Sequence, residues 1–342
     1  MWPSRFSWCS ELDVLRAIDP LSASASRRDG RILFRGTDRE RIFGAGRQEG
    51  RGEQRDMLPL VGIIIVFAAV IGGYLMEHGN LSLLVQPAEL VIIGGAAFGS
   101  FVIASPKKIL VKTFREIFSV FKAKAATKQT YVDILLLMFE LLSIVRRDGA
   151  LAIENHVRKP MESNLFTKYP SILKNHHLRD FLCDNLKAFI SGKIETMEFE
   201  SMMDLDKDSQ HGFDQVPSQA VGKVADSLPG LGIVAAVMGV VLTMGKIKEP
   251  PEVLGQSVGA ALVGTFLGVL LCYGFVGPMS HNLEHQVREK ESLLNVAKAS
   301  LLGFSQGHHP AMAVEFARRA IPGQDRPTFE ELEDALKAIR KK

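Results

Sequence analysis

Charged side chains are missing from four long stretches of this 342-residue sequence. No Asp, Glu, Lys, Arg or His occurs in Leu58 to Met76, Leu90 to Pro106, Leu228 to Gly245 or Val253 to Ser280. As helices rising 1.5 Å per residue, these stretches are long enough to cross a hydrocarbon core of about 30 Å. The pattern fits a membrane protein better than a water-soluble one and predicts four transmembrane helices.

Cysteine and net charge are also scarce. The three cysteines, Cys9, Cys183 and Cys272, lack the spacing of metal ligands and indicate reduced thiols that pack in apolar surroundings. The formal net charge is only +3, which gives no support for a nucleic-acid binder.

Enzyme motifs are absent as well. The sequence contains no P-loop, GxSxG, HExxH or paired cysteine ligands. The adjacent pairs His176-His177 and His308-His309 point to different helix faces, so they indicate surface histidines rather than a chelate. We therefore expect no enzymatic activity, no cofactor and no metal site.

Residues 1–56 differ in composition from the rest of the chain. They contain eleven arginines and no lysine, and they lack an apolar run long enough for a signal peptide. Met57 stands directly before the first uncharged stretch. This indicates either a mis-called or disordered extension before a start at Met57 or a functional arm.

The basic residues between the spans predict the orientation. Glu77 to Glu89 contains no Lys or Arg, whereas Lys107, Lys108, Lys112 and others follow the second stretch. By the positive-inside rule, the long middle segment and both termini are expected in the cytoplasm of an inner-membrane protein. Lys246 and Lys248 in the second outer connection weaken the rule locally.

The segments outside the membrane carry helical patterns. Val132 to Val145 is apolar, but flanking charges favour a buried helix of a soluble domain that stops at Gly149. A second helix is predicted from His176 to Ser191, and a capping box, Thr328 to Glu331, opens a last one. No stretch alternates as a strand does, so we predict an all-α polytopic membrane protein with a helical cytoplasmic domain.

The sequence pattern predicts five parts of the chain. They are the extension at 1–56, transmembrane helices 1 and 2 at 57–106, a cytoplasmic helical domain at 107–227, transmembrane helices 3 and 4 at 228–280, and cytoplasmic C-terminal helices at 281–342.

Small residues recur at four-residue spacing in the spans, which lets helix backbones approach closely. The pairs are Gly95 with Gly99, Gly232 with Ala236, Ala235 with Gly239, Gly255 with Gly259, and Gly264 with Gly268. On the fourth span, Ser257, Ala261, Thr265, Gly268 and Cys272 form one small or hydroxyl-bearing face. That face either packs within the subunit or receives a partner's helix.

The uncharged stretches contain no titratable carboxyl group, which an ion-coupled protein needs at membrane depth. Either the protein conducts nothing or a partner helix supplies the carboxylate. Pro229 and Pro278, near the inner ends of the third and fourth spans, are either hinges or fixed bends. Asp226 either accepts a proton that leaves the membrane or is an ordinary charge at a helix end.

Several segments resemble the MotA family of flagellar motor stator subunits. Residues 226–239, DSLPGLGIVAAVMG, are similar to that family's third transmembrane helix, and VGTFLG at 263–268 with YGFVGP at 273–278 to its fourth. AVEFARR at 313–319 and RPTFEELE at 326–333 are similar to its C-terminal region. The resemblance runs from Met57 to near the end of the chain.

The resemblance implies a pentamer of this subunit around a dimer of a MotB-like B-type subunit. That partner would supply the intramembrane Asp and a peptidoglycan anchor. The resemblance also implies roles for single residues. Pro229 and Pro278 match prolines that couple ion passage to a change of shape, and Thr265 and Tyr273 match positions that line the ion path beside the B-type helix. Arg146 and Glu154 correspond to the charged pair that engages the rotor switch protein FliG.

The resemblance also suggests the coupling ion. Sodium-driven relatives tend to carry Thr where this chain has Ala236, whose methyl group cannot coordinate an ion, so protons are expected. The alternatives are an ExbB- or TolQ-type energy transducer, whose subunits typically have three spans, and a membrane scaffold that conducts no ions.

Overall fold

The computed structural model describes residues 49–121, 126–192 and 194–340, and all regular structure in these ranges is helical. The predictions made for residues 1–48, including Cys9, lie outside the described residues. In chain order the α-helices are α1 (Glu49–Met76), α2 (Leu81–Leu84), α3 (Pro87–Ala104), α4 (Lys107–Val120), α5 (Lys128–Asp148), α6 (Glu154–Arg158), α7 (Pro170–Lys174), α8 (His176–Ser191), α9 (Thr196–Met244), α10 (Pro251–Leu270), α11 (Gly277–Ser305), α12 (Pro310–Ala320) and α13 (Phe329–Arg340). The all-α prediction is confirmed.

Four helical segments of the described chain are long and apolar enough to cross a membrane, as predicted. They are Leu58–Met76, Leu81–Ala104, Thr196–Met244 and Pro251–Ser305. The first segment is the least packed, because none of its apolar window is buried against the rest of the protein. Its contacts include Phe67, whose ring centroid lies 4.8 Å from that of Phe275.

The helices outside the membrane share one apolar core. It is built around α5 and α8, with α11 and α12 packed against them, so the predicted helix at Val132 to Val145 is a buried element of this domain. The largest fully buried side chains include Leu135, Met138, Phe166, Phe181 and Phe199. Burying such a side chain contributes about 1.5–3 kcal/mol, which fixes these helices in place.

Local signals end or begin these helices where the sequence predicted. Gly149 follows α5 with φ of 88°, a conformation that a residue with a Cβ rarely adopts. At the start of α13, the Thr328 N–H donates to Glu331 Oε2 at 2.7 Å and the Glu331 N–H donates to Thr328 Oγ1 at 3.1 Å. The predicted capping box is therefore formed.

The third span is part of one helix of 49 residues, α9, which continues far beyond the membrane and contains Pro217 and Pro229. A proline cannot donate to the carbonyl four residues earlier. At Pro217 the freed carbonyl belongs to Phe213, and Lys112 Nζ donates to it at 2.9 Å while also pairing with Asp214. Lys112 thereby ties α4 to α9.

The fourth span also runs on into the globular domain. A π-helix, Leu271–Val276, joins α10 to α11, and Pro278 is the second residue of α11. The segment limits predicted at 227/228 and 280/281 thus fall inside continuous helices, so these helices connect the membrane region and the domain directly.

Candidate functional site

The third and fourth spans touch backbone to backbone through small residues. A Cβ placed on Gly232 would lie 2.8 Å from the Gly264 carbonyl oxygen and 3.0 Å from the Gly268 Cα. A Cβ on Gly239 would lie 2.6 Å from the Cβ of Ala261. Larger side chains would separate the helices, so the small residues set this contact.

Most of the small face on the fourth span packs inside the subunit. Ala261, Gly268 and Cys272 are buried, and Cys272 packs in a cluster with Ala225 and Leu228 of α9. Ser257 and Thr265 are only half-buried. The face was expected either to pack within the subunit or to receive a partner's helix, and packing within the subunit accounts for these three buried residues.

Two predicted coupling prolines lie where the long helices change their hydrogen bonding. Pro229 is half-buried in α9. The residue before it, Leu228, packs in one apolar cluster with Cys272 of the π-helix. Pro278 is exposed and follows the π-helix directly. π-helical turns inside longer helices are often found at functional sites. Asp226, three residues before Pro229, is exposed.

The predicted path residues do not share one environment. Tyr273, within the π-helix, is 73% exposed, and Thr265 on α10 is half-buried. Neither hydroxyl donates or accepts a hydrogen bond among the described residues. Ala236 is buried instead, with its backbone nitrogen 3.1 Å from the position a Cβ on Gly264 would take. The structure therefore places Ala236 between the spans and Tyr273 on their outer face.

The prediction that the spans carry no titratable carboxyl group is wrong at Glu89, which lies in the second membrane-spanning segment. Pro87 occupies the first turn of α3, so the helix starts three residues before the uncharged stretch and includes Glu89. Glu89 is only 8% exposed, and its carboxylate reaches Gly264 of α10. The residues Gln86-Pro87-Ala88-Glu89 already carry a helix-start signal, with Pro at the first position and an acid in the first turn.

The predicted rotor residues lie in the globular domain, away from the spans. Arg146 is exposed in the last turn of α5 and forms no ion pair within the described residues. Glu154 is half-buried at the start of α6 and pairs with Arg158 at 3.1 Å. Both residues flank the turn at Gly149.

The histidine pairs are separate from the site. Within the described ranges, no cluster of three or more His, Cys, Asp or Glu side chains could hold a metal ion. His309 has a structural role, because its Nδ1 accepts from the Ala311 N–H at 3.3 Å at the start of α12.

Comparison with known families gives two matches along the chain. Residues 60–149 match the family model described as motility protein A N-terminal, and residues 173–295 match the MotA/TolQ/ExbB proton channel family. A channel family carries out transport rather than a chemical conversion.

Among individual proteins, the chain is 40% identical over 284 residues to motility protein A of Salmonella typhimurium and of Escherichia coli strain K12. Each alignment covers 83% of this chain and 96% of the relative. The relatives' names favour a motility protein over an ExbB- or TolQ-type transducer.

Two solved structures share the fold. The C. jejuni MotAB structure aligns with a TM-score of 0.67 at 19% identity, covering 80% of this chain and 99% of that one. The flagellar MotAB stator complex from Bacillus subtilis aligns with a TM-score of 0.64 at 23% identity, covering 78% of this chain and 96% of that one. With its four apolar helices, the chain is a multi-pass inner-membrane protein, and it belongs to the motility protein A (MotA) family of flagellar motor stator subunits.

Proposed function

We propose that this stator subunit surrounds the transmembrane helix of a MotB-like B-type subunit, as five copies around a B-type dimer, and conducts protons with it. The partner supplies an intramembrane Asp and the anchor to peptidoglycan. Proton passage through this complex drives movement of the globular domains against the rotor.

The observation that carries the proposal is the open face of the third and fourth spans. Ile233 and Val237 of α9 and Leu262 of α10 are each more than half exposed, and Thr265, three residues after Leu262 on α10, adds a half-buried hydroxyl group. A hydroxyl group in hydrocarbon has no water to hydrogen-bond with, so such groups favour contact with protein. A partner helix that carries a carboxyl group fits this mixed apolar and hydroxyl-bearing surface.

Coupling is assigned to the two prolines. Pro229 lies in α9 and Pro278 begins α11, and both helices run from the membrane into the globular domain. Neutralising the partner's Asp changes the charge beside these helices, and the missing backbone hydrogen bonds let them bend there. A unit charge that crosses 100 mV releases about 2.3 kcal/mol, enough to bias such a bend. Asp226 is the proposed acceptor at the inner end.

The orientation follows from the basic residues of α4. Lys107, Lys108, Lys112 and Arg115 follow the second span, so the globular domain and both termini face the cytoplasm. Arg146 and Glu154 then face the rotor protein FliG, whose oppositely charged residues they engage.

The test is reconstitution of the complex. The chain is co-purified with a B-type subunit whose plug has been freed, and proton uptake is measured in liposomes under an imposed proton gradient. We expect uptake only when both subunits are present, and native mass spectrometry should show five A-type and two B-type chains. Intact complexes that pass no protons would instead support a non-conducting scaffold.

The ion is tested separately, because the proposal of protons depends on Ala236. Swimming speed should follow pH and should not change when sodium is varied at fixed pH. Strong dependence on sodium would overturn the assignment of the ion while leaving the stator assignment intact.

A further inference from the structure

Glu89 places a carboxyl group of this subunit between its own membrane helices. The residue lies in the first turn of α3 and extends toward the contact of α9 with α10. Its Oε2 lies 2.6 Å from the position that a Cβ on Gly264 would take, and its Oε1 lies 3.6 Å from the corresponding position on Gly239. The carboxyl group thus occupies space that exists because these two residues are glycines.

The surroundings leave this group without a protein partner. Glu89 is 92% buried, and its Oε2 is inaccessible and accepts no hydrogen bond from the described residues. Its neighbours Ala261, Ala235 and Ala236 offer methyl groups and helical backbone. Leaving a buried carboxylate charged and unpaired is costly, so the site calls for a proton or a cation on that oxygen.

A purely structural explanation accounts poorly for the residue. If the role were packing, an apolar side chain would fill the same space without the cost of burying a carboxyl group. If the role were to join helices, a hydrogen-bond donor from α9 or α10 would face Oε2, and among the described residues none does. Ionisable groups at membrane depth mark proton relays and ion paths.

We propose that Glu89 is a proton-transfer residue of this subunit, located before the partner's Asp on the path from the outer side. This inference rests on the proposed proton conduction. An O–H bond forms at Glu89 when a proton arrives, and it breaks when the proton passes to the next carboxylate. No electrons move, and the glycines at 239 and 264 keep the space around the carboxyl group open.

The first experiment compares proton uptake by reconstituted complexes that carry Glu89→Gln, Glu89→Asp or Glu77→Gln. Glu77 is the matched control, because it is an exposed acid in the connection that follows α1. We expect a several-fold loss of uptake for Glu89→Gln, partial recovery for Glu89→Asp, and normal uptake for Glu77→Gln. Normal uptake by Glu89→Gln complexes would overturn the inference.

The second experiment detects the proton without relying on flux. Hydrophobic carbodiimides react with protonated carboxyl groups in membranes, and mass spectrometry of the purified complex reports whether Glu89 is modified. We expect modification at Glu89 that declines as pH rises. Proton uptake by the complex should fall as this modification accumulates. Absence of modification over the whole pH range would overturn the inference. Because the labelling uses the wild-type complex, this outcome can be read even if the Glu89→Gln complex assembles badly.

The two experiments also separate this inference from the proposed function. A wild-type complex that conducts no protons contradicts the proposed function, while carbodiimide labelling still reports on Glu89. A wild-type complex that conducts, together with an unaffected Glu89→Gln complex, contradicts only the role of Glu89.

Discussion

Gly268 lies between the third and fourth spans, where an added side chain would meet backbone atoms. A Cβ at this position would lie 2.6 Å from the Leu228 carbonyl oxygen and 2.8 Å from the Gly232 Cα, both backbone atoms. Because backbone cannot move aside as a flexible side chain can, even one methyl group must push α10 away from α9. Gly268 is therefore one of the glycines on which the close approach of the spans depends.

We predict that Gly268→Ala destabilises the subunit by about 1–3 kcal/mol, the usual cost of overpacking. The measurement is the thermal unfolding midpoint of the purified complex in detergent, together with swimming. Gly259→Ala is the matched control, since a Cβ on Gly259 meets no atom within 4 Å. Equal midpoints for the two variants would contradict the packing argument.

Glu315 anchors the C-terminal region through a buried ion pair with Arg318 and a second ion pair with the exposed Arg319. Its carboxylate accepts from Arg318 Nε at 2.7 Å and Nη2 at 2.8 Å, and from Arg319 Nε at 3.0 Å. Arg318 also donates to the Pro327 carbonyl, which leads into α13. Hydrogen bonds from Arg318 hold the pKa of Glu315 below its ordinary 4.5, although burial opposes this, and Arg319 adds to the lowering.

The lowered pKa predicts an acid-sensitive contribution to stability. It is fully present above about pH 4.5, the ordinary pKa of a glutamate, and it is lost as pH falls through the lower folded value. We expect Glu315→Gln to cost about 2 kcal/mol at neutral pH and to reduce the loss of stability on acidification. Thermal unfolding at neutral and acidic pH measures both effects, with the exposed Glu330→Gln as the control. If acidification affects wild type and Glu315→Gln equally, the ion pairs do not produce this dependence.

Among the helices, α9 contains two prolines with different surroundings. The carbonyl freed by Pro217 is bound by Lys112, whose ammonium also lies 3.3 Å from the centroid of the Phe213 ring. The carbonyl freed by Pro229, that of Ala225, receives no side-chain hydrogen bond within the described part of the chain. The helix is therefore held at Pro217 and can bend more easily at Pro229.

This difference predicts opposite outcomes for two matched substitutions. Pro229→Ala should abolish swimming while membrane insertion and assembly remain intact, because the helix regains its hydrogen bond and stiffens. Pro217→Ala should preserve swimming, because that segment is already fixed by Lys112. Tethered-cell rotation and the yield of purified complex measure the two properties. Normal rotation of Pro229→Ala cells would remove its coupling role.

The continuity of α9 and of the fourth span with α11 gives the protein its mechanical connection. Both helices continue past the ends of the uncharged stretches, so the bending proposed at Pro229 and Pro278 would move the globular domain without a flexible linker. α1, by contrast, leaves its apolar window open to lipid or to another subunit.

For the protein as a whole, the proposed rotor contact lies far along the chain from the proposed ion path and depends on exposed charge. Arg146 is exposed, and exposed ion pairs contribute only about 0–1 kcal/mol each. A rotor contact of this strength would form and break quickly, which suits repeated stepping.

We therefore predict that Arg146→Glu impairs rotation and that a compensating charge reversal on the rotor protein partly restores it. The matched control is Lys187→Glu, a reversal at a half-exposed lysine of α8, which should have little effect. Torque of tethered cells is the measurement. If no reversal on the rotor improves Arg146→Glu, the residue does not form the proposed contact.

Much of this architecture was predictable from local patterns. Runs without charge identified the four spans, because burying charge in hydrocarbon is costly wherever the chain folds. The capping box at Thr328, the stop at Gly149 and the buried helix around Leu135 also follow from neighbouring residues. These features depend on interactions within a few turns of the chain, so no tertiary information was needed.

Other features arise only when distant segments meet. Glu89 looked like the end of an outer loop, and only the packing of α3 against α9 and α10 shows it to be a buried, unpartnered carboxyl group. Likewise, no local pattern pairs Lys112 with the Phe213 carbonyl that Pro217 frees, because the two residues are 101 positions apart in the chain. Hydropathy reports the average environment of a segment, whereas the partner of an individual polar atom depends on which helices the fold brings together.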